Sequence, residues 1–430
     1  MLEHNSSLTY RIKMRLIVLV FIQYAVWGAY LISIGRYLAL AGLGSQIKWF
    51  FAANGVVSLF MPALIGVVAD RYIQGQRTLS VCHALAGLFM LSAGMYCYRA
   101  EHVDFATLYP LYCLSIVFFM PTVALTNSVS YSVITRAGGD PVTDYPPIRL
   151  FGTVGFICSM LAVNWNQTDG VRMQESCTQL ILSGILSLVL CLYALTLPEC
   201  PTGGNKAGRS VSDAFGLKAF KLFGQGRMDV FLIFSILMGT ALQITNGYAN
   251  TFLGSFSDNP AFSDTFAVKN SNALLSLSQI SETVCFLLVP FCMKRFGIKK
   301  VLLMSMVAWV FRFGLFGLGN PDMPGVLLFI LSCILYGIAF DFFNIAGSLY
   351  VEQNVDKSIR ASAQGLFMMM SNGFGATIGM IAAGAVMDKF VFKAEVKDWS
   401  SAWFVFAAYM LLVTILFVIF FKDSPTKKNP

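Results

Sequence analysis

Polar side chains recur at helical spacing inside stretches of sequence that are otherwise apolar. Arg149, Thr153 and Phe156 are separated by four and then three residues, so they share one face of a helix. A guanidinium, a hydroxyl and an aromatic ring on one stripe suit a planar polar ligand. Gly152 and Gly155 allow another helix to pack closely beside this stripe. A structural ion pair, or a side chain that reaches the edge of the apolar layer, is the alternative interpretation.

Two further apolar stretches carry amides and a carboxylate at similar spacing. The first contains Gln243, Asn246 and Asn250, and the second contains Asn272, Ser276, Gln279 and Glu282. These groups supply both hydrogen-bond donors and acceptors, which is what vicinal sugar hydroxyls need. A hydrogen-bonded network between the two helices is the structural alternative, since amide bonds between helices are common in apolar surroundings.

A third stretch combines an aromatic stripe with a buried charge. Its stripe contains Tyr336, Phe340, Phe343, Asn344 and Gly347. Such a stripe either packs in a core or stacks a planar ring, because aromatic rings stack well on nucleobases. Asp341 lies about 100° around the helix from Phe340, so it flanks the stripe and suits an ion pair or a protonation step. For Arg312, surrounded by apolar and aromatic residues, we expect a structural role.

The elements that hold these side chains are predicted to be transmembrane helices. Hydrophobic residues make up 57% of the 430 residues and charged residues only 12%, whereas soluble domains carry about 25% charged residues. The apolar runs reach the length of about 20 residues that a helix needs to cross a bilayer. We predict an all-α, polytopic membrane protein with twelve spans, at 14–38, 47–69, 78–98, 106–133, 147–165, 177–197, 229–255, 267–292, 299–319, 325–351, 361–386 and 400–421.

The distribution of Lys and Arg predicts the orientation of the chain. With both termini in the cytoplasm, the inner segments carry far more Lys and Arg than the outer segments do. We therefore attribute the formal net charge of +8 to the orientation of the chain in the membrane. The Lys and Arg residues form no basic stripe, so the sequence does not indicate a nucleic-acid partner. The longest inner loop, 198–228, is rich in Gly, Ser and Lys, and we interpret it as a cytoplasmic linker. It would join an N-terminal six-helix bundle at 1–197 to a C-terminal one at 229–430.

Enzymatic and metal-dependent functions find little support in the sequence. The ten cysteines are scattered and the three histidines are far apart, so we expect neither structural disulfides nor a metal site. Residues 203–210 approach a phosphate-binding loop, but Arg209 stands where the lysine is needed and no strand precedes it. No catalytic constellation faces the membrane boundary. We therefore expect a transporter that is not an enzyme and needs no cofactor.

The chain resembles the major facilitator superfamily and, within it, a bacterial family of nucleoside–proton symporters. Gly66, Asp70 and Arg71 match the superfamily's signature in the loop between helices 2 and 3, which takes part in gating. The family resemblance rests on short words that run in order along the chain. They are MPAL at 61–64, VAD at 68–70, VTDYPPIR at 142–149, GT at 152–153, LQITN at 242–246, SQISET at 278–283, FDFFN at 340–344 and RASAQG at 360–365.

The family resemblance implies proton-coupled uptake of nucleosides across the bacterial inner membrane by alternating access. Position by position, it places the base against Arg149, Thr153, Phe156, Tyr336 and Phe340, and the ribose against Gln243, Asn246, Gln279 and Glu282. The expected partners are the nucleoside, protons and the lipid bilayer, with the protein acting as a monomer. A carrier for another polar solute, such as a sugar, is the alternative. Such a carrier would not require the Arg149 and aromatic groups.

Coupling to protons requires a titratable group inside the membrane. Asp341 and Glu282 are the candidate carboxylates. Our hypothesis assigns the proton to Asp341, which would pair with Arg149 only when it is ionised, and makes Glu282 a ligand contact.

Overall fold

A computed structural model describes residues 10–200, 226–356 and 359–421, without the side chains of Asp70 and Ala361. Over these ranges the chain is almost entirely helical. Its regular strands are β1 (Gln167–Thr168) and β2 (Val171–Arg172), which form a short antiparallel hairpin. The predicted all-α fold is confirmed.

The described residues of the first half form seven α-helices. They are α1 (Tyr10–Gly28), α2 (Ile34–Leu40), α3 (Ile47–Arg71), α4 (Gly75–Arg99), α5 (Phe105–Arg136), α6 (Pro141–Trp165) and α7 (Thr178–Leu195).

The second half contains α8 (Arg227–Ser255), α9 (Phe266–Lys269), α10 (Ser271–Phe296), α11 (Ile298–Leu318), α12 (Val326–Asn354), α13 (Arg360–Met368), α14 (Ala376–Met387) and α15 (Trp399–Phe420). The segments Met369–Gly375 and Asp388–Phe392 are π-helical and extend α13 and α14 into one long span.

Among the described residues, eleven helices are long and apolar enough to cross a membrane. The predicted first span, 14–38, is instead divided into α1 and α2, which are joined by turns after Gly28. Gly28 has low helix propensity, and α6 passes too close to it for any larger side chain. Counting α1 and α2 as one interrupted crossing gives twelve, which agrees with the expected number.

Helix packing places most neighbours within the same half of the chain. In the first half α1 packs on α6, and α4 packs between α5 and α7. In the second half α12 packs against both α10 and α11, and α11 also packs on α15. Contacts between the halves run from α3 to α14, from α6 to α10 and from α2 to α8. The division into two bundles stays a prediction, and most of the predicted linker lies outside the described residues.

Candidate functional site

A cavity of about 960 Å³ lies where the two halves of the chain face each other. Its volume is near the upper end of the range typical of small-molecule sites. Its walls come from α1, α3, α5 and α6 on one side and from α8, α10, α12 and α13 with the following π-helical segment on the other. All nine residues that the sequence nominated as ligand contacts line it: Arg149, Thr153, Phe156, Gln243, Asn246, Gln279, Glu282, Tyr336 and Phe340.

The α6 stripe forms one wall of the cavity. Its helix begins at Pro141, six residues before the predicted span, because Asp140 caps it by accepting a hydrogen bond from the Val142 backbone N–H at 3.0 Å. The guanidinium carbon of Arg149 lies 4.0 Å from the centre of the Tyr24 ring. The ring of Phe156 meets Trp27 edge-on, with centroids 6.5 Å apart. Arg149, Thr153 and Phe156 therefore lie on the same face of α6, the face toward the cavity, as their spacing predicts.

The amide groups of α8 and α10 divide between the cavity and the helix interface. Gln243 and Asn246 line the cavity, whereas Asn250, one turn further on, is buried and donates from its Nδ2 to Oδ1 of Asn272 at 2.6 Å. Ser271 also donates to Asn250, at 3.1 Å. The interhelical-network interpretation therefore holds for Asn250 and Asn272, and the ligand interpretation stays a prediction for Gln243 and Asn246, which line the cavity.

The aromatic stripe of α12 also divides. The rings of Tyr336 and Phe340 stack, with centroids 5.8 Å apart and an interplanar angle of 10°, and both line the cavity. Phe343 is instead buried between Phe231 and Phe367, so it packs in the core of the second half. Asn344 turns back to donate to the Phe340 carbonyl. One end of the stripe therefore faces the cavity, and the other end packs in the core of the second half.

The two candidate proton carriers occupy different environments. Glu282 lines the cavity. Asp341 is only 6% exposed and is absent from the cavity wall, and its Oδ2 has no hydrogen-bond partner among the described residues. Asp341 therefore flanks the aromatic stripe as predicted. Arg149 lies against Tyr24 and, in the part of the chain that the structure describes, forms no ion pair with Asp341.

Arg312 is buried behind the cavity and makes no ion pair with any described carboxylate. Its guanidinium donates to the Ser332 carbonyl at 2.5 Å and lies 4.8 Å from the centre of the Tyr336 ring. Aromatic rings and a carbonyl replace the carboxylate partner that a buried cation often takes. The expected structural role fits this position, because Arg312 supports the back of a cavity-lining tyrosine.

Several cavity-lining polar residues were not nominated from the sequence. They are Tyr24, Asn54, Ser58, Asn127 and Asn372. Each lies in an apolar stretch, so a search for every amide and hydroxyl inside a span would have found them. That search would also have returned many residues that bond only within the protein, such as Asn250. Interhelical packing decides which of them face the cavity.

At one end the cavity reaches the point where α3 finishes and α13 begins. Gly66 and Arg71 line it there, together with Ser362 and Gly365. The structure thus places two of the three predicted gating residues at the rim of the cavity. The third, Asp70, has a side chain outside the described residues.

At the opposite end the two halves are bound together by a group that we call the Arg36 cluster: Arg36, Gln174, Glu175, Lys269 and Ser271. The Arg36 guanidinium forms an ion pair with Glu175 at 2.6 Å and donates to Ser271 Oγ at 2.8 Å. Gln174 donates to the Lys269 carbonyl at 3.0 Å. Because Arg36, Gln174 and Glu175 belong to the first half and the other two to the second, the cluster joins the halves at this end.

An ion pair between the two halves also lies at this end. Lys48, in the first turn of α3, lies 2.6 Å from a carboxylate oxygen of Asp388, in the π-helical turn after α14. Both side chains are largely buried, at 16% and 12% exposure. The pair is therefore shielded from the solvent that weakens exposed ion pairs.

Comparison with known proteins places this fold and cavity in a family. The family model described as Nucleoside H+ symporter matches residues 10–426. The xanthosine permease of Escherichia coli K12 is 46% identical over 413 residues, and the nucleoside permease NupG of the same organism is 40% identical. In both cases 96% of this chain and 96% of the relative are covered.

Solved structures agree with the sequence comparison. The crystal structure of nucleoside transporter NupG superposes with a TM-score of 0.87 at 39% identity, over 96% of this chain and all of that one. The likeness extends through both halves, so it covers the cavity and both of its ends. The chain belongs to the nucleoside H+ symporter family.

Proposed function

We propose that this chain imports nucleosides together with protons across the bacterial inner membrane, and that the central cavity is the binding site. The observation that carries this proposal is the convergence of nine nominated residues from α6, α8, α10 and α12 on one cavity. Residues far apart in sequence meet there only because the helices of both halves face each other.

The chemistry of the wall suits the two parts of a nucleoside. Arg149 offers only hydrogen-bond donors, and the parallel rings of Tyr336 and Phe340 present an aromatic face beside the cavity. These groups favour a flat base that carries acceptor atoms. Gln279 and Glu282 lie one turn apart on α10 and line the cavity, and their side-chain oxygens can accept hydrogen bonds from ribose hydroxyls. We therefore assign the base to the first group and the ribose to the second.

The predicted orientation gives the two ends of the cavity different roles. With both termini cytoplasmic, the rim at Gly66 and Arg71 faces the cytoplasm, and the Arg36 cluster and the Lys48–Asp388 pair close the periplasmic side. The described conformation is then inward-facing. Import requires these periplasmic contacts to break and the cytoplasmic rim to close, in the manner of alternating access. We expect a monomer to suffice, because the cavity is built from one chain.

Protons supply enough energy for this cycle. One proton moving through about 100 mV yields roughly 2.3 kcal/mol. Each tenfold concentration gradient of solute costs about 1.4 kcal/mol. One proton per nucleoside therefore supports accumulation of well over tenfold. We assign proton transfer to Asp341 because it is buried beside the cavity wall and lacks a hydrogen-bond partner for one carboxylate oxygen among the described residues.

Binding in detergent tests the proposed site directly. Isothermal titration of the purified protein with uridine and with adenosine should give saturable binding that glucose does not compete away. Binding of glucose in place of nucleosides would instead support the sugar-carrier alternative. A folded protein that binds neither class of solute would contradict the assignment of the cavity.

A further inference from the structure

The side chain that supports Arg149 is a tyrosine from another helix. Tyr24 belongs to α1 and Arg149 to α6, and the guanidinium carbon lies 4.0 Å from the centre of the Tyr24 ring. This distance is well within the range over which an arginine is attracted to an aromatic face. Both side chains line the cavity. The contact therefore sits where the proposed ligand binds.

Tyr24 itself has little freedom to move. It is 8% exposed, and its ring lies 6.4 Å from the ring of Trp27, one turn further along α1. Gly152 of α6 packs against both Tyr24 and Arg149. A Cβ atom at that position would lie 2.7 Å from Tyr24 Cδ2 and 2.9 Å from an Arg149 terminal nitrogen. Any larger residue there would push the ring and the guanidinium apart, so the absence of a side chain at 152 permits the contact.

The Tyr24 ring is the direct contact of the Arg149 guanidinium. Among the described residues Arg149 forms neither an ion pair within 4.0 Å nor a hydrogen bond, and its charge interacts with the Glu282 carboxylate at longer range. A carboxylate would hold an arginine by occupying its N–H groups and neutralising its charge. An aromatic face holds the guanidinium by its flat side and leaves the N–H groups along the edge available.

We propose that Tyr24 is a positioning residue, which holds the Arg149 guanidinium against its ring so that the N–H donors of Arg149 stay available to the ligand. The proposal rests on the proposed function of the cavity as a nucleoside site. It assigns to Tyr24 no contact with the nucleoside. Tyr24 affects the affinity for the nucleoside only by positioning Arg149. The aromatic ring of Tyr24 is needed for this, and its hydroxyl is not.

A double-mutant cycle tests the proposal, with the dissociation constant for uridine as the measurement. Tyr24→Leu should weaken binding about tenfold, because the leucine keeps apolar volume but offers no aromatic face. Tyr24→Phe should stay within about twofold of the unmodified protein, since it keeps the ring. In an Arg149→Gln background the addition of Tyr24→Leu should change binding by less than about threefold, because the cation that the Tyr24 ring attracts is gone.

Two outcomes would overturn the proposal. An equal loss in Tyr24→Phe and Tyr24→Leu would show that the hydroxyl contacts the ligand itself. A tenfold effect of Tyr24→Leu that persists in the Arg149→Gln background would show that Tyr24 does not act through the arginine. Tyr98→Leu, at an exposed tyrosine of α4, is the matched control and should leave binding unchanged. If Tyr24→Leu does not fold, Tyr24→Met provides the same test.

Binding of uridine to the unmodified protein separates this proposal from the one on which it rests. If the unmodified protein binds no nucleoside, the proposed function fails. If it binds and the cycle shows no coupling between positions 24 and 149, the role of Tyr24 fails alone.

Discussion

At the scale of single residues, Arg149 is the side chain on which the assignment of the substrate depends most. Its guanidinium, which forms no hydrogen bond with any described residue, lines a cavity that also contains stacked aromatic rings. A carrier for sugars gains little from this combination, because a sugar has no flat face with acceptor atoms. The residue-scale predictions therefore concern Arg149 and the two carboxylates.

Replacement of the arginine should impair binding without unfolding the protein. In Arg149→Gln the charged donor edge is lost, and a hydrogen bond to a charged group contributes about 1.5–3 kcal/mol. We expect the affinity for uridine to fall by roughly 10- to 100-fold in isothermal titration. Arg295→Gln, at an exposed arginine in the last turn of α10, is the control and should bind normally. Equal affinity in both variants would remove Arg149 from the site.

Variants of Asp341 and Glu282 should affect proton coupling and nucleoside binding separately. Asp341→Asn should still exchange labelled for unlabelled nucleoside across a liposome membrane, but a proton gradient should no longer drive accumulation. Glu282→Gln should lose affinity by about tenfold, because Glu282 lines the cavity and Asp341 does not. Full gradient-driven accumulation by Asp341→Asn would show that another group carries the proton.

Spacing alone identified nine residues that line the cavity, but it did not show which members of a stripe face the cavity. Helical periodicity put Arg149, Thr153 and Phe156 on one face, and the structure places all three on the cavity wall. Periodicity gave no means of separating Gln243 from Asn250, which share a stripe although the second bonds to a neighbouring helix. Tyr24 was missed for the same reason, because its importance lies in a contact between α1 and α6.

At the scale of elements, the helix ends control access to the cavity. The Arg36 cluster and the Lys48–Asp388 pair join the halves at one end, while the cavity extends to Arg71 at the other. Packed interfaces of this kind change between discrete arrangements. The contacts at the closed end should therefore influence which of the two conformations is populated.

Weakening the closed end should favour the outward-facing state. Removing one partner of a buried ion pair costs several kcal/mol, so Lys48→Met should shift the balance by on the order of 2 kcal/mol, or roughly thirty-fold. A cysteine introduced as Asn372→Cys, on the cavity wall, should react faster with a thiol reagent that is added outside and cannot cross the membrane. The measurement compares labelling rates against a parent that carries Asn372→Cys alone.

Two further variants control the labelling experiment. Lys397→Met breaks an exposed ion pair with Asp258 within the second half and should leave the labelling rate unchanged. Lys48→Arg keeps a positive charge beside Asp388 and should retain the parental rate. Identical rates in Lys48→Met and in the parent would show that this pair does not hold the periplasmic side closed.

Sequence patterns anticipated the helices better than their interruptions. The apolar runs predicted most span boundaries to within a few residues, since length and hydrophobicity are local properties. The break after Gly28 and the π-helical turns at Met369–Gly375 were not predicted, because they depend on how closely neighbouring helices approach. Both interruptions border the cavity, where Leu31, Met369 and Asn372 line the wall. π-helical turns are frequent at functional sites, so the departures from regular helix fall where function is expected.

At the scale of the whole molecule, the central claim is that one chain moves a nucleoside inward together with a proton. Membership of the nucleoside H+ symporter family and the likeness to a solved nucleoside transporter extend over nearly the entire chain. The structure adds a cavity that both halves line, with contacts between the halves at one of its ends. This arrangement is what alternating access requires.

Uptake by reconstituted liposomes is the most direct test of this claim. Radiolabelled uridine and adenosine would be supplied outside vesicles with and without an inward proton gradient, and a protonophore would serve as the control. The account predicts accumulation above equilibrium that depends on the gradient, is abolished by the protonophore, and is competed by other nucleosides but not by glucose. Uptake that only equilibrates in both conditions, or that glucose competes away, would contradict it.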